Sequence, residues 1–220
     1  MSVERVSLRA LRPKRWIFGL DRQLRRHYGI YEYTAHRDCL LRAERWCADE
    51  RIVLGDGTRI EIGDTLLRLH LWNEHMPPMG AHGPSMAWAR RIERCMEVSL
   101  AELARYLAQT ADSRAVTAVC AQMHLASARQ SLQLSRILGR FGFETLPRPP
   151  LEHGHALRRF GENFLVVMLV MATNPISLRT GVLRRGCVRV AISREALLGR
   201  YGERRCRRSA RPAACRSTGS

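Results

Sequence analysis

The sequence predicts a single mixed α/β domain of the α+β type, in which helices flank a central, mostly antiparallel sheet. Three observations predict it. Turn residues and alternating apolar positions in residues 51–78 indicate a β-meander within that sheet. Longer segments with helical apolar spacing follow, separated by short apolar runs that are typical of buried strands. A chain of 220 residues, 45% of them hydrophobic, is long enough to bury one such core.

The positive charge of the chain is concentrated at its two ends. The formal net charge is +17, and residues 1–26 carry 8 basic and 2 acidic side chains, whereas residues 179–220 carry 12 and 2. Such ends attract phosphate groups, anionic lipids or nucleic acids, although many arginines can also serve solubility alone. We therefore divide the chain into a basic N-terminal arm (1–15), one domain (16–202) and a disordered arginine-rich tail (203–220).

The cysteines and the apolar runs indicate the cellular compartment in which we expect the protein. Seven cysteines occur without a CxxC pair, and their odd number argues against a disulfide framework or a zinc site and for a reducing compartment. The longest apolar run, Phe164–Ala172, is about half as long as a membrane-spanning helix. We expect a cytoplasmic protein, or one peripheral at the inner membrane surface, with no transmembrane segment, no cofactor and no metal.

The segment before the predicted sheet has helical spacing. Apolar residues recur every four positions from Trp16 to Tyr28, with arginines between them, and Gly29 ends the pattern. A basic amphipathic helix of this kind can lie on an anionic membrane, and a packed surface helix is the alternative. A second helix is predicted over residues 37–46, where two leucines and a tryptophan would form the apolar side.

Residues 51–78 carry the clearest strand signals. A Gly-Asp-Gly sequence at residues 55–57 lies between two short apolar runs, which predicts a β-hairpin. A Gly-Asp pair at residues 63–64 supplies a second turn. Successive residues of a strand point to opposite faces, so the leucines from Leu67 onward share one face. The prolines at the end of the segment stop the strand.

The opposite face of this strand, and the residues that follow it, hold the candidates for chemistry. His70, Glu74 and His75 are the candidate catalytic residues, because imidazole and carboxylate groups can exchange protons near neutral pH. The candidate substrate contacts are Arg68, Trp72, Asn73 and His82. For each of these residues a structural hydrogen bond is the competing interpretation.

The sequence HLWNEH in this region resembles the metal-binding pattern HxxEH with one residue too many. On an extended strand, His70 and Glu74 would lie about 13 Å apart, which is too far for both to bind one ion. A metal site would require the chain to turn at Asn73.

Helical spacing begins again at Met86 and continues through Gln109. Ser99 and Glu102 within it fit a capping box, which predicts a break at that point. Ser193 is placed to cap a final helix that continues through Leu198. The elements between are predicted as a buried strand at 115–121, a helix at 127–141 that Gly142 ends, a helix at 155–173 and a strand at 187–192.

A meander followed by a helix, a strand and a helix that ends in Gly142-Phe143 resembles the element order of GNAT-type acyltransferases. That family holds the pyrophosphate of acyl-CoA on a loop of the form Q/R-x-x-G-x-G/A, at the head of its central helix. Residues 80–83 (GAHG) occupy this place here, and Pro77 stands where the pattern has Gln or Arg. The resemblance implies acyl transfer.

Motifs spread along the chain carry a closer resemblance. They are the turns at 55–57 and 63–64, LHLWNE at 69–74, Gly83-Pro84, GFE at 142–144 and ISREALLGRYG at 192–202. Their order resembles the YkoP-like domain family of bacteria over about residues 16–202. The resemblance implies an association with polysaccharide deacetylases and with enzymes of envelope polysaccharide or lipid metabolism. Because the chain lacks the TFDDG-type and HxxxH metal motifs of those deacetylases, it cannot catalyse that hydrolysis alone.

Two functions follow from these observations. The first is an envelope-linked enzyme, or an accessory of an envelope polysaccharide enzyme, with its site at the end of the strand that carries His70. The second is a non-catalytic binder of anionic surfaces, in which membrane lipid is favoured over nucleic acid because no nucleic-acid motif is present. The residues that would bind such a surface are Arg184, Arg185, Arg204 and Arg205.

Overall fold

The computed structural model describes residues 29–78, 80, 83–126, 128–147 and 186–202. The predicted helices at 16–28 and 155–173, the N-terminal arm and the C-terminal tail lie outside these residues. The described α-helices are α1 (Met86–Gln109), α2 (Ala128–Arg140) and α3 (Arg194–Tyr201). The described strands are β1 (Leu41–Cys47), β2 (Ile52–Val53), β3 (Arg59–Ile60), β4 (Thr65–Leu71), β5 (Val116–Ala126), β6 (Glu144–Leu146) and β7 (Gly186–Ser193).

Five of these strands form one sheet in the order β1-β4-β5-β7-β6. Neighbouring strands are antiparallel except for β4 and β5, which are parallel and joined through α1. The prediction of a mixed α/β domain with a mostly antiparallel sheet is confirmed. The strands β2 and β3 form a separate hairpin inserted between β1 and β4, so the predicted meander is interrupted.

Apolar side chains pack on both faces of the sheet. On one face, α1, α2 and α3 cover a cluster that includes Leu67, Leu69 and Val119 of the sheet and Leu100 and Leu103 of α1. Burying a leucine in such a cluster stabilises the fold by about 1.5–3 kcal/mol. On the other face, the β2–β3 hairpin covers a smaller cluster, whose buried members are Ala48, Leu54, Ile60, Leu66, Ala118, Leu146 and Ala191. Polar side chains, among them Glu44, Arg68 and His70, lie beside this cluster on the second face.

The predicted helix over residues 37–46 is wrong, because residues Leu41–Cys47 form the edge strand β1. This strand pairs with β4 along its whole length, from Leu41 opposite Leu71 to Cys47 opposite Thr65. Its first four residues are buried, and the charged Arg42 and Glu44 are buried together with their apolar neighbours. Pairing with a strand far along the sequence outweighed a weak local helical pattern.

The predicted break of α1 at Ser99 is also wrong, since the helix is continuous. The Ser99 hydroxyl donates to the Cys95 carbonyl (2.7 Å) and accepts from the Leu40 backbone N–H (2.8 Å). Glu102 accepts from Thr34 (3.1 Å). Tertiary contacts therefore use the side chains that would have formed a capping box. The strand β6 was not predicted, because three residues are too few for an alternating pattern.

Ser193 connects α3 to the turn of the hairpin. Its side chain accepts from the Ala196 backbone N–H (3.0 Å), which confirms the predicted cap, and its hydroxyl donates to Asp56 Oδ2. Asp56 Oδ1 also accepts from the Thr58 backbone N–H (2.9 Å). The bond from Ser193, followed by that from Thr58, holds the pKa of the Asp56 carboxyl below its ordinary value.

Because the pKa of Asp56 is lower in the folded state, its ionised carboxylate stabilises the fold at pH values above its unfolded pKa of about 3.9. This stabilisation is lost as the pH falls through the pKa of Asp56 in the folded state. We expect Ser193→Ala to lower the free energy of unfolding by about 1–2 kcal/mol at pH 7, and by less below about pH 4. Urea denaturation at both pH values measures this. Ser85→Ala, which removes the cap of α1 (Ser85 Oγ to Trp88 N, 3.1 Å), is the control. A cost of Ser193→Ala that tracks the control at every pH would contradict the expectation.

Candidate functional site

The parallel strands β4 and β5 stop pairing with each other before either strand ends. These parallel strands pair only as far as Leu69 and Ala121. Beyond that point β4 continues to Leu71, paired with β1, and β5 continues to Ala126, paired with β7. No described strand lies between β4 and β5 beyond their last pair. We call the region between the two strands beyond this last pair the crevice, and the carboxyl ends of parallel strands are where ligands commonly bind.

The first turn of α1 lies at the same end of the sheet, because α1 is the connection from β4 to β5. After β4 the chain makes a short 3-10 turn at Asn73–His75. The Trp88 indole N–H of α1 donates to the Pro77 carbonyl (3.0 Å), so the loop is tied to the start of the helix. The first turn of α1 contains no acidic residue.

A histidine–glutamate pair lies at the edge of the crevice. His70, the first residue of β4 beyond the last β4–β5 pair, has its Nε2 atom 2.7 Å from Oε2 of Glu44 on β1. The Glu44 side chain is 8% exposed and the His70 side chain 32%. A carboxylate only accepts hydrogen bonds, so Nε2 carries a proton, and in the neutral ring the lone pair is on Nδ1. In that neutral form, His70 can accept a proton at Nδ1 from a bound molecule.

Arg68 extends this polar pair along the sheet face. Its Nη1 atom lies 3.8 Å from the same Glu44 oxygen, and its guanidinium stacks 3.4 Å from the centroid of the Trp46 ring. Cys120 lies opposite Arg68 on β5. Burial raises the pKa of the Cys120 thiol, although Arg68 and Arg189 oppose this effect. A thiol with a raised pKa is a poor nucleophile, so His70 is the stronger candidate for chemistry on this face.

A second group of contacts is centred on Arg42, whose side chain is only 6% exposed. Its Nη2 atom lies 2.8 Å from Glu74 and 3.2 Å from Glu32, and its guanidinium carbon lies 4.4 Å from the centroid of the Trp72 ring. Trp72 in turn stacks on His75, with ring centroids 3.7 Å apart. These contacts give Glu74 and Trp72 clear structural roles.

The predicted site residues thus divide between two adjacent groups. Arg68 and His70 meet at Glu44, whereas Trp72, Glu74 and His75 gather around Arg42, which lies directly opposite His70 on β1. The Nδ1 atom of His75 is bonded to the Cys39 carbonyl (2.9 Å). Asn73 begins the 3-10 turn, and nothing is described of its side chain. Residues that lie outside the described part of the chain are His82, Arg184, Arg185, Arg204 and Arg205.

The chain does turn at Asn73, as a metal site would require. Even so, His70 and Glu74 contact different partners, Glu44 and Arg42. Within the described ranges, no group of three or more His, Cys, Asp and Glu side chains could hold a metal ion.

Sequence reasoning missed Glu44 and Arg42, the partners of the two groups. Both were assigned to the predicted helix at 37–46. The alternation of apolar Leu41 and Ala43 with charged Arg42 and Glu44 was the available signal for a strand, but it covers only four residues.

Comparison with known proteins identifies the family. A family model described as the YkoP domain matches residues 39–201, well over half of the chain. This chain belongs to the YkoP domain family. No curated protein and no solved structure matches it. The YkoP domain match includes all the described strands and helices, and none of these helices is long and apolar enough to cross a membrane.

Proposed function

We propose that this YkoP domain transfers an acyl group from a thioester to a hydroxyl or amine of an envelope polysaccharide or lipid. The observation that carries the proposal is the crevice between β4 and β5 with the His70–Glu44 pair at its edge. The parallel pair of β4 and β5 supports the proposal, because acyl transfer is what the resemblance to GNAT-type acyltransferases implies. The envelope acceptor is the setting that the resemblance to YkoP-like proteins implies.

The crevice suits an extended ligand that carries amide groups. Backbone N–H and C=O groups on the facing edges of β4 and β5 lack a strand partner among the described residues beyond Leu69 and Ala121. An extended molecule with its own amides can bond to such edges as an added strand does. A pantetheine arm, which carries two amides and ends in the thioester, has this character.

His70 acts as the general base. Its Nδ1 atom takes the proton of the acceptor hydroxyl or amine while the acceptor oxygen or nitrogen attacks the thioester carbonyl. The tetrahedral intermediate then breaks its C–S bond, and the leaving thiolate takes the proton from His70. The new ester or amide and the free thiol leave, and the histidine returns to its neutral form.

Glu44 positions the base. By accepting from Nε2 it fixes the tautomer that leaves Nδ1 basic, and its negative charge stabilises the imidazolium that forms during attack. Arg68 adds a positive charge beside the same Glu44 oxygen, with its Nη1 atom 3.8 Å away. Glu74 and His75 support this part of the sheet through Arg42 and the Cys39 carbonyl rather than through the reacting atoms.

The alternative of a non-catalytic binder of anionic surfaces rests on arginines outside the described residues and stays a prediction. An accessory role within envelope metabolism differs from catalysis in one measurable respect, because an accessory would bind its ligand without turnover.

S-decanoyl-pantetheine and decanoyl-CoA are suitable donor probes, with glucosamine as an acceptor that offers both an amine and hydroxyls. We expect the full chain to bind both donors in isothermal titration and to release thiol faster when the acceptor is present, as followed by chromatography. Adenosine 3′,5′-diphosphate should not compete, because the crevice binds the pantetheine arm. Binding without acceptor-dependent release would favour the accessory role, and absence of donor binding would remove the proposal.

A further inference from the structure

The first turns of α1 present an exposed basic surface beside the crevice. Met86, Arg90 and Arg94 recur every four residues and therefore lie along one side of the helix, with Arg91 next to them. All four residues are exposed, and Met86 is 72% exposed. We call these four residues the arginine face.

The three arginines of the arginine face outnumber the two acidic residues beside them on α1, Glu93 and Glu97. None of its three arginines makes an ion pair with a described residue, whereas Glu93 on the same helix pairs with Arg140 (3.0 Å). The positive end of the helix dipole adds to this field, since the first turn holds no acidic side chain. The face is therefore complementary to a negatively charged partner.

The dimensions of the face indicate the size of that partner. At 1.5 Å per residue, Met86 and Arg94 are separated by about 12 Å along the helix axis. A diphosphate bound at the helix start spans only part of this distance. A folded partner that lies along the helix can contact all four residues, and the exposed Leu71 at the end of β4 adds a further apolar side chain at this end of the sheet.

Acidic and basic side chains alternate on α1, and this favours a protein over a membrane as the partner of the arginine face. Glu93 and Glu97 alternate with the arginines along the helix, and Met86 is the single large hydrophobic side chain exposed on the described part of it. An interfacial helix needs a wide apolar face to enter lipid. A flexible methionine surrounded by arginines is typical of protein interfaces.

We propose that the acyl donor is carried by an acidic protein, which docks on the arginine face and extends its acyl-pantetheine arm into the crevice. This rests on the acyl transfer proposed above. The start of α1 and the crevice lie at the same end of the sheet, so a carrier seated on the helix brings its arm to the opening. Recognition of the carrier then depends on charge, and recognition of the arm depends on the strand edges.

The test compares two donor probes on one charge-reversed variant. The probes are an acidic acyl carrier protein loaded with a decanoyl-phosphopantetheine arm, and S-decanoyl-pantetheine alone. We expect Arg90→Glu, Arg91→Glu and Arg94→Glu together to weaken binding of the loaded carrier by at least about tenfold, because close opposite charges become like charges. Binding of S-decanoyl-pantetheine should not change. Added salt should weaken binding of the carrier to the wild type.

A charge-matched control is available on other elements. Arg51, Arg59 and Arg114 are also exposed, and reversing all three changes the net charge equally. This control should keep the affinity for the carrier within about twofold, since distant exposed charges are screened.

Three other outcomes would contradict docking of the carrier protein. If the carrier binds no more tightly than S-decanoyl-pantetheine, or if the arginine-face variant binds it as the wild type does, carrier docking is overturned while acyl transfer stands. If the variant instead loses binding to phosphatidylglycerol vesicles and keeps the carrier, the face binds membranes and the inference is wrong. If the wild type binds neither donor probe, the proposed acyl transfer fails and the docking proposal fails with it.

Discussion

Replacing His70 by glutamine is expected to lower the rate of acyl transfer by about 100- to 1,000-fold, because general-base catalysis contributes at this level. Glutamine is close to histidine in size, and its amide N–H can still donate to Glu44, so the sheet should keep its structure. The rate is measured as kcat with S-decanoyl-pantetheine and glucosamine, and circular dichroism checks the fold.

His36→Gln is the matched control, since His36 lies in the loop before β1, where its Nδ1 accepts from the Asp38 backbone N–H (3.1 Å). It should transfer at the wild-type rate. For Glu44→Gln we expect a lower kcat with an unchanged KM for the donor, because Glu44 orients the base without contacting the thioester. Wild-type turnover by His70→Gln would exclude His70 as the base.

Replacing Arg42 by methionine is expected to lower the free energy of unfolding by about 2–3 kcal/mol. Removing one member of a buried ion pair costs about 3–5 kcal/mol, but Glu32 and Glu74 are partly exposed and water can solvate them, which reduces the cost. Methionine keeps an apolar contact with the Trp72 ring. Urea denaturation at pH 7 measures the change.

Arg51→Met provides the comparison for Arg42. Arg51 forms an ion pair of similar length with Glu61 (2.8 Å), but both side chains are largely exposed. Exposed pairs contribute about 0–1 kcal/mol, so this variant should lose no more than that. Equal costs for the two variants would show that the contacts of Arg42 with Glu74 and Trp72 do not stabilise the sheet.

The sequence predicted the residues that β4 contributes to the candidate site, but not those that β1 contributes. The alternation in residues 67–72 placed Arg68 and His70 on a common face of a strand, and β4 confirms this arrangement. The helix at Met86–Gln109, the buried strand after it and the capping role of Ser193 were also predicted, because periodicity and caps depend on neighbouring residues.

The sequence by itself determined the elements with strong local patterns, namely the hairpin turn, β4, α1 and α3, and the polar character of one face of β4. Only the tertiary structure decided that β1 is a strand, that Glu44 is the partner of His70, and that β4 and β5 separate beyond Leu69 and Ala121. Each of these features depends on pairing between residues distant in the sequence. A local pattern carries no information about which strand lies alongside, or about where pairing stops.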